Sequence, residues 1–441
     1  MSKREVVKRA KDAGVRLVRL QFNDIHGVTK NVAIPVGELE AALDDKVAFD
    51  GSCIEGFVRH EESEMYLAPD AGTFALLPAS EGQPVQARLL CDVHNPDGTP
   101  FEGCTRSTLR RVLEEAQRDG FVPQVSAELE FFLFERSRDG GPSTVTSDRG
   151  SYFDLSPIDR GDVARCDVVL ALEEMGIHVE ATHHEVSHGQ HEIDLGSTGL
   201  LALADAISTA RVVVKTVAAR HGLEATFMPK PFVNQDGSGV HLAQYLRRDD
   251  RNVFADASAG AVAGLSETGL SYVGGLLSHA RGFTLVTNPT VNSYKRLVPG
   301  YDAPSYVQWS QRAKSALVRV PDVAGGEVRV ELRSPDPSCN PYLALACVLK
   351  AGLDGIRRKL VPGDPVEVAV AGLSEDERAA MGIEQLPLSL HEAVGALDED
   401  PVIRAALGDH SYHRLREAKL AEWETYRTQV HPWELEAYLS L

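Results

Sequence analysis

Apolar and polar positions in this chain switch between two periods, near 3.6 in some stretches and 2 in others. Residues 3–14 recur at helical spacing and stop at Gly14. Val15 to Phe22 then alternates as a strand. The turn Asn23-Asp24-Ile25-His26-Gly27 leads into residues 29–35, its expected hairpin partner. Residues 38–45 predict a short helix. From Phe49 to Phe57 two glycines and Asp50 interrupt an apolar run, which marks a shaped loop. Strands are expected at 73–77 and 86–93, the second ending in Asn95-Pro96-Asp97-Gly98. The first hundred residues therefore read as a small β-rich unit, with 101–107 as its linker.

Beyond the linker, longer helices alternate with strands. Residues 108–119 are amphipathic and end at Gly120. A strand carrying Glu128 and Glu130 follows, and residues 137–150 read as an exposed flap. A helix spans 162–175, with Gly176 just past its end. A strand at 177–180, a turn at Gly189 and a strand at 191–195 bring Glu185 and Glu192 toward each other. Residues 200–219 form a long helix. Residues 288–304 are polar and proline-studded, unlike a core element, and by pattern alone are a surface loop. Lys295 and Arg296 within them suit a carboxylate. Strands are expected at 316–321 and 327–336, with Glu327, Arg329, Glu331 and Arg333 on one face. Toward the C-terminus, Leu420, Trp423, Tyr426 and Val430 space out as a buried helical stripe. The last residues, 433–441, form an apolar tail suited to docking on another subunit.

Composition narrows the class. A chain of 441 residues is expected to hold two or more domains. The hydrophobic fraction of 43% and charged fraction of 25% are those of a globular protein, and no window reaches the length of a membrane helix. The formal charge of −19 argues against a nucleic-acid partner. The N-terminus lacks the apolar segment of a secretory signal. Six cysteines without paired spacing fit reduced thiols, so a cytoplasmic location is expected. No Walker A motif occurs. Gly237-Ser238-Gly239 is weak support for phosphate binding, strengthened only by His241 after it.

The chemistry concentrates between residues 180 and 194, where four acidic residues and four histidines share fifteen positions. Glutamate, aspartate and histidine are divalent-cation ligands, and carboxylates in such number favour magnesium or manganese over zinc. Glu128 and Glu130 add a second acidic pair. On a strand they share one face and repel each other unless a cation lies between them.

Taken in order, several motifs resemble those of bacterial type I glutamine synthetases, over essentially the whole chain. They are Phe49 to Phe57, Glu128-Leu129-Glu130, His183 to Glu192, Gly237 to His241, Asn292 to Tyr301 and Val330 to Asp336. The resemblance implies an α+β fold: an N-terminal β-grasp domain over residues 1–103 and a catalytic domain over 104–441. In the second, an antiparallel sheet flanked by helices forms an active-site barrel between subunits. It implies two stacked hexameric rings, a homo-oligomer of the dodecamer class, and leaves room for regulatory protein partners. Arg59 resembles the feedback-inhibited alpha-type branch. The absence of tyrosine from residues 360–387 implies no adenylylation control.

The same resemblance assigns roles. The implied activity joins ammonium to the γ-carboxylate of glutamate with ATP, through an acyl phosphate. It calls for two or three magnesium or manganese ions. Glu130, Glu185 and Glu192 would hold one ion; Glu128, His241 and Glu331 a second. Arg296 would clamp the substrate α-carboxylate, with Glu130, Gly237, Tyr152 and Arg333 also at the substrate. Glu180, Lys314, Arg319 and Arg329 would serve ATP and its phosphates. Asp50 of an adjacent subunit would work with Tyr152 and Glu185 to bind ammonium and take its proton, and Asp302 would close the site. Departures from the family pattern are Asp302 for glutamate, Cys53 for serine, Asp236 for asparagine and Lys314 for arginine. No aromatic falls near Ser197, and Ala243-Gln244-Tyr245 replaces a His-x-Ser. Three readings stay open on these residues: a glutamine synthetase, a ligase of the same fold for a larger amine, and an impaired regulatory paralogue.

Overall fold

Ser2 and Glu5 cap each other's backbone and so start α1 (Lys3–Asp12). The computed structural model describes the chain apart from residues 45–46, 55–63, 79–81, 138–140, 142, 259 and 323–326. Arg59 lies outside the described residues. Six strands form the first sheet among those described: β1 (Leu17–Asn23), β2 (Thr29–Pro35), β3 (Val47–Asp50), β4 (Glu64–Pro69), β5 (Ala75–Leu76) and β6 (Gln86–His94). Their order is β2-β1-β6-β4-β3, with β5 on β6. β1 and β2 form the expected antiparallel hairpin, while β1 runs parallel to β6. α1 and the short α2 (Leu39–Ala42) close the core, where Val6 and Leu39 meet Val18, Leu20, Leu67 and Leu89. β3 and β4 escape the sequence reading. β4 turns only Met65 and Leu67 inward, after the acidic run Glu61, Glu62 and Glu64.

Residues 101–107 are not a loose linker. Phe101 and Cys104 are buried in the first core, and α3 (Thr105–Arg118) begins within the segment. Arg106 is buried there. It grips Asp205 with two hydrogen bonds of 2.9 and 2.8 Å, Asp70 at 2.9 Å and Asp92 at 3.3 Å. The Tyr342 hydroxyl adds a 2.8 Å bond to Asp205. One guanidinium thus ties the first sheet to helices of the second unit.

That unit is built on β7 (Val122–Glu135), β8 (Val179–His184), β9 (Gln190–Gly199), β10 (Leu223–Thr226), β11 (Val240–Arg248) and β12 (Arg251–Asn252). β13 (Tyr306–Val307) pairs elsewhere; β14 (Trp309–Ser310), β15 (Val318–Arg319) and β16 (Val330–Leu332) complete the sheet. The order is β14-β15-β16-β11-β7-β9-β8, antiparallel except for β14 on β15. Along β7, Leu129, Phe131 and Leu133 enter the core while Glu128 and Glu130 face the other way.

Helices cover the apolar face: α4 (Asp162–Glu174), α5 (Leu200–Arg220), α6 (Glu267–Ser278), α7 (Ala280–Thr287), α8 (Ser293–Arg296) and α9 (Pro341–Arg358). α6 and α9 approach so closely that a Cβ on Gly355 would lie 2.1 Å from the Ser271 carbonyl. Among the described residues, no helix is long and apolar enough to cross a membrane.

Four expectations need correction. Ser147, Asp148 and Gly150 are buried, so the exposed excursion stops short of them. Residues 288–304 are not a surface loop throughout, because α8 buries Tyr294 and Arg296. Glu327 precedes β16 and pairs with Arg247 on the surface at 3.1 Å, so the charged ladder is broken. The helix carrying Leu420 and Trp423 ends at Arg427, which leaves Val430 exposed beyond the stripe.

His279, between α6 and α7, is buried and bonded by both ring nitrogens, to Asp400 at 2.7 Å and Asp354 at 2.9 Å. Arg358 also reaches Asp354. Burial opposes the charged ring, but the two carboxylates outweigh it and raise the His279 pKa. A raised folded-state pKa means the stabilisation is complete below the ordinary histidine value and is lost as pH rises through the folded value. His279→Gln is expected to cost about 3 kcal/mol near pH 6 and clearly less near pH 9. Urea midpoints of both proteins at the two pH values check this; a pH-independent difference would contradict it.

Candidate active site

Strand register assembles the site. Glu128 on β7 stands opposite His241 on β11 and Asp194 on β9; Glu130 stands opposite Glu192, and Glu192 opposite His183 on β8. On the other flank, Glu331 lies between Ala243 of β11 and Arg319 of β15. The hairpin turn at Gly189, whose φ is +66°, returns the chain so that Glu185 and Glu192 share one cavity. That cavity holds about 320 Å³. Glu128, Glu130, Glu185, Glu192, Asp194, His183 and His241 form its acidic floor; Tyr152, Asp236, Gly237, Arg296, Asp302, Lys314, Arg319 and Arg333 line its rim.

The floor has more negative charge than the protein neutralises. Burial first, then Glu130 and its neighbours, pushes Glu185 up to about 8 and Glu192 up to about 11. Asp194 is raised by burial first and then by the neighbouring Glu128. Glu128 goes the other way: burial opposes ionisation, but a 2.8 Å bond to His241 and the nearby arginines hold it at about 2. His183 bridges Glu185 at 3.4 Å and Glu192 at 3.0 Å. Carboxylates and imidazoles crowded this tightly suit divalent cations, whose charge offsets the repulsion. Ligand atoms of Glu128, Glu192 and His241 lie within 4.8 Å of one another, as do those of His183, Glu185 and Glu192. Five of the six ligands implied by resemblance line the cavity. Glu331 does not; Arg333 bonds it and Arg319 lies 3.6 Å away. His183 and Asp194 carry no role in the sequence reading, although the histidine-rich run contained both.

Arg296 and Arg333 are the buried cations of the rim. The Arg296 guanidinium donates to the carbonyls of Ser334 at 2.8 Å and Arg333 at 3.2 Å. Gly239 is needed beside it, because a Cβ there would lie 2.4 Å from an Arg296 nitrogen. Gly239 therefore makes room for Arg296, whereas a Cβ on Gly237 would lie 2.2 Å from the Pro229 carbonyl. Lys295 points away, toward the ring of Tyr426. Tyr152 packs on Phe153 and His183, with the Lys314 ammonium 5.9 Å from its ring.

Behind the floor is a buried network that the sequence reading missed. Asp148 accepts hydrogen bonds from the backbone of Gly150, Arg160 and Gly189 and pairs with His184 at 2.9 Å. Arg165 pairs with Asp159 at 2.6 Å and lies 2.8 Å from Nδ1 of His191. Asp148, Asp159, His184 and His191 have ligand atoms within 4.8 Å, but Arg165 already supplies the positive charge there. The network fixes the strap carrying Tyr152 and the turn carrying Glu185.

Besides Glu331, three expected site residues lie outside the cavity. Glu180 is exposed and accepts from the Ser197 amide at 3.4 Å. Arg329 is half-buried next to β16. Asp50 ends β3 and caps the following turn through Ser52, in the first sheet.

An acidic floor under a cationic rim defines a site for bringing phosphate and carboxylate together under metal control. Residues 14–96 match the family description "Glutamine synthetase, beta-Grasp domain", and residues 102–438 match "Glutamine synthetase, catalytic domain". The chain belongs to the glutamine synthetase family. It is 50% identical to a glutamine synthetase of Clostridium saccharobutylicum over 439 residues, 100% of this chain and 99% of that one. It is 49% identical to one of Staphylococcus aureus, over 99% of this chain and 98% of that one. Among solved structures, "GmaS/ADP complex-Conformation 1" superposes with a TM-score of 0.89 at 31% identity, covering 99% of both chains. "Apo GmaS without ligand" gives 0.87 at the same identity and coverage.

Proposed function

We propose that this chain makes glutamine from glutamate, ammonium and ATP. The observation that carries the reading is the convergence of Glu128, Glu130, Glu185, Glu192 and His241 on one cavity whose rim holds Arg296, Arg319, Arg333 and Lys314. The γ-carboxylate of glutamate takes the γ-phosphoryl group of ATP, and ammonia displaces phosphate from the acyl phosphate. Two or three magnesium or manganese ions, when bound, offset the charge of phosphate meeting carboxylate. Glu130, Glu185 and Glu192 would hold one and Glu128, His241 and Glu331 another, with His183 adjacent.

The remaining roles belong to the chain. Arg296 clamps the α-carboxylate, and Glu130 and the Gly237 carbonyl face the α-ammonium. Arg319, Arg329, Arg333 and Lys314 take phosphate charge, and Glu180 serves the nucleotide. Tyr152, Glu185 and Asp50 of the partner subunit hold ammonium and remove its proton, since only neutral ammonia has a lone pair to attack with. Asp302 closes the site against water.

A partner subunit is needed because Asp50 does not reach the cavity of its own chain. Apolar side chains exposed beside Tyr152 support this: Phe153 at 61%, Leu155 at 74% and Ile158 at 57%. The helix at Pro432–Tyr438 leaves Trp433, Leu435 and Tyr438 exposed, as a docking tail would. We place the domain division at 103/104, the assembly as two stacked hexameric rings, the location as cytoplasmic, and regulation by protein partners as a further property. The test is phosphate release with magnesium, ATP and glutamate, with and without ammonium and across small amines. Release that requires ammonium is expected; release only with a larger amine would overturn the reading.

A further inference from the structure

Lys230 and Tyr301 form a contact that the roles above do not use. Lys230 is buried, and its ammonium lies 3.4 Å from the centre of the Tyr301 ring. The Tyr301 hydroxyl donates to the Val233 carbonyl at 2.7 Å. The lysine is itself anchored. Its amide donates to Asn292 Oδ1 at 2.7 Å, Asn292 Nδ2 donates back to its carbonyl at 3.0 Å, and its ammonium donates to the Gln235 carbonyl. So Tyr301 lies across a fixed loop, 230–236, whose end carries Asp236 and Gly237 into the cavity. The residues after Tyr301, Asp302 and Ala303, line the same cavity, and the Asp302 amide reaches toward Asp236 at 3.5 Å. The segment 300–303 therefore crosses the cavity mouth and is pinned on one side by a cation–π contact and a hydrogen bond.

We propose that Lys230 and Tyr301 are positioning residues, a latch that holds segment 300–303 over the cavity and sets how much ATP ends as glutamine. This rests on the glutamine-forming reading. The latch matters because the acyl phosphate can meet two nucleophiles. When water reaches it, the water oxygen bonds to the γ-carbonyl carbon. The bond from that carbon to the phosphate oxygen breaks, its electron pair leaves with phosphate, and the water proton passes to solvent. Glutamate is regenerated, and one ATP is lost without product. With the lysine buried and the ring half-buried, a cation–π pair shifts the closed-to-open ratio by about 5- to 30-fold.

The test uses the full chain in its native assembly, as wild type, Tyr301→Phe, Tyr301→Leu, Lys230→Met and Lys230→Arg. Two quantities are read: phosphate released per glutamine formed, and hydrogen exchange of amides 300–303 against those of β7. Tyr301→Leu and Lys230→Met are expected to raise the phosphate-to-glutamine ratio several-fold and to speed exchange at 300–303 about 5-fold or more, with β7 unchanged. Tyr301→Phe keeps the ring and should fall between. Lys230→Arg keeps a cation over the ring and should restore both readouts. Unchanged exchange at 300–303 in Tyr301→Leu overturns the latch, and so does a wild-type ratio in a variant that still makes glutamine. A wild type that makes no glutamine counts against the function instead, and the exchange readout still judges the latch.

Discussion

Glu192→Gln is expected to lower glutamine formation by about 10²- to 10³-fold, the usual scale for losing one preorganised charge at a reacting centre. Glu192 stands opposite both Glu130 and His183, and its ligand atoms fall in both three-residue sets of the floor. Glutamine keeps the size of the side chain and removes its charge. Manganese titration should show weaker binding alongside the loss of activity. The metal-free protein should respond in the opposite sense. With Glu185 at about 8 and Glu192 at about 11, the bare fold is favoured while these groups hold protons. That advantage is complete below the ordinary glutamate value and is lost as pH rises through 8 and toward 11. Glu192→Gln should flatten this pH dependence of the metal-free melting temperature, and added metal should flatten it in the wild type. Full activity with unchanged manganese affinity would contradict the assignment.

Arg106→Met is expected to give the largest loss of stability, about 3–5 kcal/mol, because it strands buried carboxylates. Asp205 would lose both of its guanidinium bonds, Asp70 would lose one, and Asp92 would lose the forked contact at 3.3 and 3.4 Å. Arg110 still reaches Asp70 and Asp92, so Asp205 bears most of the cost. Lysine cannot reproduce the two-pronged grip and should recover only part of it. Asp205→Asn combined with Arg106→Met should be less destabilised than the sum of the single changes, since the double variant leaves no stranded charge. Urea midpoints of the three single variants and the double variant measure this. A loss under 1 kcal/mol in Arg106→Met would show that the hub adds little.

The split between what the sequence discloses and what it hides follows contact range. The alternation of Leu129, Phe131 and Leu133 with Glu128 and Glu130 is local, so β7 and its acidic face are legible. So is the hairpin closed at Gly189, because a positive φ there needs glycine. Register is not local. The sequence brings Glu185 and Glu192 together, but only the pairing of β8 with β9 puts His183 between them. Arg106 looks like a linker residue until Asp205, 99 positions away, folds against it. Asp148 sits in a glycine- and serine-rich excursion with the pattern of an exposed loop. Its burial comes from backbone amides at Gly150, Arg160 and Gly189 that converge only in the fold. Arg296 is disguised in the same way by the proline-studded stretch around it.

In the proposed reaction the cavity activates a carboxylate as an acyl phosphate, and ammonia then replaces phosphate. The most direct measurement supplies glutamate labelled with oxygen-18 in its γ-carboxylate, together with ATP, magnesium and ammonium, and analyses the phosphate by mass spectrometry. One labelled oxygen is expected in the phosphate for each glutamine formed, because the bond that breaks joins the γ-carbon to an oxygen that came from glutamate. Glutamine formed with unlabelled phosphate would contradict it.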